Sequence, residues 1–102
     1  MAEAVALVRN VVGEYEVPAG YDSWLEYWKV HKPDLEAEVC CQIHCDRTDI
    51  EGCHVYHDGH PETVFLIPLC KGHNHYTNTS AMFVLSDYLL LVPEELLVKK
   101  EE

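Results

Sequence analysis

Three short stretches of this chain gather the residue types that hold metal ions. They are Cys40-Cys41-Gln42-Ile43-His44-Cys45, then Gly52-Cys53-His54-Val55, then Cys70-Lys71-Gly72-His73-Asn74-His75. Two close cysteines, a hairpin-sized spacer and a Cys-x-x-His have the form of a structural zinc site. Zinc takes four sulfur or nitrogen ligands tetrahedrally, commonly as two pairs of short internal spacing. Each pair chelates from a tight turn, and the spacer folds back to bring the pairs together. Four protein ligands leave no open position for water, so such a site stabilises the fold without doing chemistry. Its binding energy is also folding energy. The expected ligands are Cys40, Cys45, Cys70 and His73. Cys70-x-x-His73 is the better-defined half. In the first half, Cys41-x3-Cys45 competes with Cys40-x4-Cys45, and the reading leans to Cys40.

Free cysteines are often simply small buried hydrophobes. Count and context favour the metal instead. Five cysteines is an odd number for a complete disulfide framework, and seven histidines accompany them. A thiol nucleophile at Cys70 beside His73 is a weaker account, because zinc ligation explains both residues. There is no Gly-rich phosphate loop and no Cys-x-x-Cys redox pair.

The elements that must position these residues are legible in outline. Tyr21, Trp24, Leu25 and Trp28 share one helical face, which predicts a helix over Tyr21–Lys32. Ser23 and Glu26 form a capping box, Lys29, His31 and Lys32 suit the negative pole, and Pro33 stops the helix. The two tryptophans read as core anchors. Ile50–His57 reads as a strand, Asp58-Gly59 as a turn, and Thr63–Ile67 as the return strand. His60-Pro61 suggests a loop longer than two residues. Ala4–Tyr15 is expected to hold a strand, and Lys71–Thr79 a short helix or turn. Met82–Val92 is expected to form one strand or two short ones, and Glu94–Glu102 a charged end with a turn of helix or a frayed tail.

The chain has 102 residues, which suits one domain over 1–102, and 48% apolar and 25% charged content is that of a folded protein. A core this small gains from a metal staple. Eighteen Asp and Glu against seven Lys and Arg give a formal charge of −11. Nucleic-acid binders neutralise phosphates with clustered Lys and Arg, and no such cluster exists here. The charge points to a protein partner with a basic face. Met1–Gly13 does not read as a secretory leader, and the longest apolar run, Tyr88–Val92, is far too short to span a bilayer. The expected location is the cytoplasm, and Asn78-Thr79-Ser80 is then no glycosylation site.

Cys-x4-Cys, the Gly-x-His-Val hairpin and Ile-Pro-Leu-Cys-x-x-His-Asn together resemble the zinc-bearing HNH-like proteins of the treble-clef group. Small phage-type and bacterial proteins of this look also carry a Ser-Trp-Leu-x-x-Trp segment upstream. Ser23-Trp24-Leu25-Glu26-Tyr27-Trp28 matches it, and the resemblance covers about Gly20 to His75. It implies an α+β fold: a zinc knuckle, a β-hairpin, then a short helix whose first turn supplies the second ligand pair. An N-terminal helix and further short strands complete it.

Active HNH nucleases set a second, catalytic metal beside the hairpin. An Asp helps hold it, the following His activates water, a mid-hairpin Asn orients that His, and a His or Asn on the helix completes the site. By the resemblance, His54 stands at the base, Cys53 at the Asp, Phe65 near the orienting Asn, and Asn74 at the helical ligand. A hard cation prefers oxygen, which Cys53 does not offer. His57, His60 and His75 are the residues from which a softer second site near His54 and Asn74 would have to be rebuilt. The expected function is a non-catalytic, acidic protein-binding module, a mimic of nucleic acid or an inhibitor of a nucleic-acid-binding protein. The alternative is a metal-dependent HNH endonuclease with His54 as general base. A third reading is a self-associating subunit using the Trp24/Trp28 face or the Met82–Val92 strand.

Overall fold

The structure, a computed structural model, describes residues 4–11, 13–75, 78 and 80–100. Five strands and one α-helix are present among them: β1 (Val5–Asn10), α1 (Trp24–His31), β2 (Ile50–His57), β3 (His60–Cys70), β4 (Met82–Leu85) and β5 (Leu90–Leu91). The strands form one antiparallel sheet in the order β4-β1-β2-β3-β5. No helix among the described residues is long and apolar enough to cross a membrane.

The β2–β3 hairpin is the spine of the sheet. Its register pairs His54 with Leu66, Cys53 with Ile67 and Ile50 with Cys70. Pairing resumes at His57↔His60, so the turn is the two residues Asp58 and Gly59, tighter than His60-Pro61 suggests. The Gly59 amide donates to His57 Nδ1 at 3.0 Å and closes the turn. The register shifts between Tyr56 and His57, and that irregularity takes up the extra length of β3 behind Pro61. Proline lacks a ladder donor, so it is tolerated at such a place and not in mid-strand. The return strand consequently begins three residues earlier and ends three later than Thr63–Ile67.

Alternation along β2 divides the core in two. Cys53 and Val55 face one side, with Val8, Ile67, Leu69, Val84 and three further buried cysteines, Cys40, Cys41 and Cys70. The other side receives α1. There Trp24, Tyr27 and Trp28 pack with Tyr15, Val64 and Leu66. Trp28 Nε1 donates to the Tyr88 carbonyl at 2.7 Å, and Trp24 Nε1 to that of Tyr15 at 3.1 Å. The tryptophan face is therefore inside the chain's own core, which removes it as a self-association surface.

α1 begins at Trp24, later than the periodicity from Tyr21 predicts, because Ser23 is the cap. Its Oγ accepts from the Glu26 amide at 3.1 Å. Glu26 returns its carboxylate to the Asp22 amide instead of the Ser23 amide, so the box is only half built. The helix lies so close to β2 that a Cβ on Gly52 would sit 2.7 Å from both Leu25 N and Trp24 Cβ. Only glycine fits there.

Met82–Val92 forms two short strands on opposite edges of the sheet, joined through a 3-10 turn at Ser86–Tyr88. The outer edge of β4 is covered by the cysteine knuckle. Ile43 N donates to the Phe83 carbonyl at 2.9 Å, and Leu85 N to that of Cys41 at 3.4 Å. The expected strand within Ala4–Tyr15 is β1, with Tyr15 separately bridged to Lys99. The charged end makes one 3-10 turn at Glu94–Leu96.

Candidate metal centre

The first ligand pair sits on a turn held by its own backbone. Cys40 N donates to the Arg47 carbonyl at 2.9 Å and Cys45 N to that of Gln42 at 3.1 Å. His44 takes the left-handed conformation, with φ of 67°, to close the loop. Cys41 N donates to the Pro68 carbonyl at 3.0 Å, which fastens the knuckle to β3. Cys70 is the last residue of β3. After it the chain turns, with Asn74 N donating to the Cys70 carbonyl at 2.9 Å and His73 N to Cys70 Sγ at 3.5 Å. The helix that the treble-clef resemblance implies here is absent among the described residues: residues 71–74 are hydrogen-bonded turn, and residues 76, 77 and 79 lie outside the description.

These turns bring Cys40, Cys45, Cys70 and His73 into one group, with all four ligand atoms within 4.8 Å of one another. His73 Nδ1 lies 3.0 Å from Cys70 Sγ and 3.4 Å from Cys40 Sγ. Tetrahedral zinc with sulfur and nitrogen ligands sets its donors about 3.5–3.8 Å apart, so His73 would draw back slightly from the two sulfurs to admit a cation. The choice between Cys40 and Cys41 falls to Cys40, since Cys41 is outside the group. Burial pushes the Cys40 thiol up to about 12, so a thiolate there calls for a cation beside it. Three thiols and an imidazole can hold a metal ion such as zinc, and they fill its tetrahedron.

The residues supporting this group are not visible in spacing. Asn10, at the end of β1, donates from Nδ2 to the His73 carbonyl at 2.7 Å and to that of Asn78 at 3.0 Å. Asn78 Nδ2 donates to the same His73 carbonyl at 2.8 Å. Two side chains from outside the turn thus fix the backbone of His73. Arg47 and Asp49 form a bidentate pair at 3.0 and 2.6 Å beside the centre. Lone Asn, Arg and Asp residues carry no motif, so nothing in the sequence marks them.

The residues that the resemblance sets at catalytic positions are otherwise engaged. His54 points to the helix side, its ring edge-on to Trp24 at 4.4 Å and to Tyr15 at 4.8 Å between centroids. Burial pushes its pKa down to about 4. Its Nε2 is buried and has no hydrogen-bond partner among the described residues. Cys53 points to the opposite side, donates to Asn10 Oδ1 at 3.0 Å, and is pushed up by burial. Asn74 Nδ2 donates to Glu51 Oε1 at 2.5 Å. Phe65 pairs with Val55, one step along from His54. His57 and His60 lie with ring centroids 5.2 Å apart at the hairpin tip, and His75 borders a cleft of about 670 Å³ shared with His54, Glu51 and Asn74. Among the described residues these histidines do not converge into a second metal-holding group.

Comparison with protein families, with curated proteins and with solved structures gives no match.

Proposed function

We propose that this chain is a zinc-stabilised, HNH-like treble-clef protein that does no catalysis and serves as an acidic binding module for a protein with a basic face. The order of parts supports the treble clef: a cysteine knuckle, the β2–β3 hairpin, then Cys70 and His73 on the turn that follows. The observation that carries the non-catalytic reading is the state of His54. A general base must reach the water it activates. The His54 Nε2 is buried, Trp24 and Tyr15 pack edge-on to the ring, and its affinity for protons is low. The neighbouring position offers a thiol already bonded to Asn10, where a magnesium site needs oxygen. The charge indicates the partner. The formal charge is −11, with exposed carboxylates at Asp34, Glu36 and Glu38 just before the knuckle and at Glu94 and Glu95. Such a surface imitates the phosphates of a nucleic acid, and a protein that normally holds nucleic acid fits it. The cytoplasm, where thiols stay reduced, is the compartment this reading assigns.

The test has two arms. Immobilised zinc-loaded protein should capture nucleic-acid-binding proteins that release as salt rises from about 50 to 500 mM, and added duplex DNA should displace them. Capture insensitive to both salt and DNA overturns the mimicry. In the second arm, plasmid DNA with magnesium, manganese, zinc or nickel should stay intact. Cleavage that disappears in His54→Ala would establish the endonuclease reading instead.

A further inference from the structure

We propose that Arg47 is the latch of the metal centre: Asp49 holds its guanidinium beside the ligand thiolates, where it slows loss of the ion. This inference rests on the metal reading of Cys40, Cys45, Cys70 and His73. Arg47 joins both halves of the site. Its carbonyl accepts from the amide of Cys40, in the first pair, at 2.9 Å. Its side chain reaches the second pair. A Cβ on Gly72 would lie 2.8 Å from Arg47 Nη1 and 3.9 Å from Cys70 Sγ, so guanidinium and sulfur flank one methyl-sized space above Gly72. Asp49 aims the fork through its two hydrogen bonds, and the Asp49 carbonyl accepts from Lys71 N at 3.0 Å, tying the pair to the turn after Cys70.

Electrostatics gives the arrangement its effect. Three thiolates and a neutral imidazole around a divalent cation leave one negative charge. A guanidinium alongside offsets it, and does so in a chain whose overall charge is strongly negative. The guanidinium of Arg47 stays charged at any ordinary pH. Metal leaves such a site when a proton or a competing chelator takes a thiolate. A fixed cation beside the sulfurs favours the compact, negatively charged loaded centre over the opened one. Arg in a fork geometry does this better than Lys, whose ammonium is a mobile point charge.

The experiment measures zinc transfer from the loaded, full-length chain to excess 4-(2-pyridylazo)resorcinol, after elemental analysis has fixed the zinc content of each variant. Arg47→Ala should release zinc about tenfold faster, the usual scale for a residue behind the ligands. Arg47→Lys should fall between, and it supplies the comparison if the alanine variant folds poorly. Gly72→Ala puts a methyl group against the flexible end of Arg47 and should also speed release, yet add nothing when combined with Arg47→Ala. Release from the native chain should quicken with salt, and from Arg47→Ala it should not. A purely structural role would lower the melting temperature without this coupling or this salt dependence. Equal release rates for zinc-loaded native and Arg47→Ala chains would overturn the latch. A native chain that takes up no zinc would overturn the metal reading beneath it.

Discussion

Cys70 with His73 and Cys53 with His54 are made of the same two residue types, and they end in opposite conditions. Cys70 and His73 are three residues apart on a turn, so sulfur and nitrogen come within 3.0 Å of each other and of the knuckle. Cys53 and His54 are adjacent on β2, so alternation sends one to each side of the sheet. Each then satisfies a local demand: the thiol bonds to Asn10, and the imidazole fills the aromatic core under α1. Convergence, set by backbone geometry, decides whether cysteine and histidine form a site or a packing contact.

The sharpest way to break this contrast is to remove one sulfur from each region. Cys70→Ser should abolish zinc uptake and cooperative melting, a loss above about 5 kcal/mol, since structural zinc supplies much of the folding energy of small domains. Cys53→Ala should cost only about 1–2 kcal/mol and keep one zinc per chain. Elemental analysis with thermal melts reads both, and equal losses would erase the distinction. Next in size is Gly52→Ala. Its methyl group would press on the backbone of α1, so about 3 kcal/mol should be lost while zinc content is unchanged. Zinc loss in this variant would show that the two regions are not separate.

A smaller effect than that of Gly52→Ala concerns acid. The folded His54 takes a proton only near pH 4, against 6.5 for an unperturbed histidine. As pH falls below 6.5 the unfolded chain gains a proton that the folded chain refuses, so stability declines down to about 4 and then levels off. Between about pH 6.5 and 5 the loss is about 2 kcal/mol. His54→Phe should flatten this part of the acid profile in denaturant titrations of the zinc-loaded protein. An unaltered slope would mean that His54 is not buried neutral.

The cluster of Cys40, Cys45, Cys70 and His73 was legible because a metal site demands pairs at short spacing, and spacing is what a sequence displays. β2 was legible to the residue because Ile50–His57 carries β-branched and aromatic residues up to a turn at Asp58-Gly59. The tight hairpin was not: Pro61 argues for a longer loop, and an irregularity at Tyr56/His57 accommodates it instead. The division of Met82–Val92 between two edges could not be read from an apolar run, since either edge buries the same residues. Asn10, Arg47 and Asn78 were silent because they meet backbone carbonyls or a neighbouring carboxylate under no spacing rule, Asn10 across 63 residues of chain.

One consequence of the knuckle reaches beyond stability. Residues 41–43 cap the outer edge of β4, and the ion is what would keep that cap folded. Loss of a bound metal would then uncover a hydrogen-bonding edge with Phe83 already at the surface. Open strand edges recruit other chains. The demetallated protein should therefore precipitate as β-rich assemblies, and prompt return of zinc should rescue only the fraction that has not yet joined them.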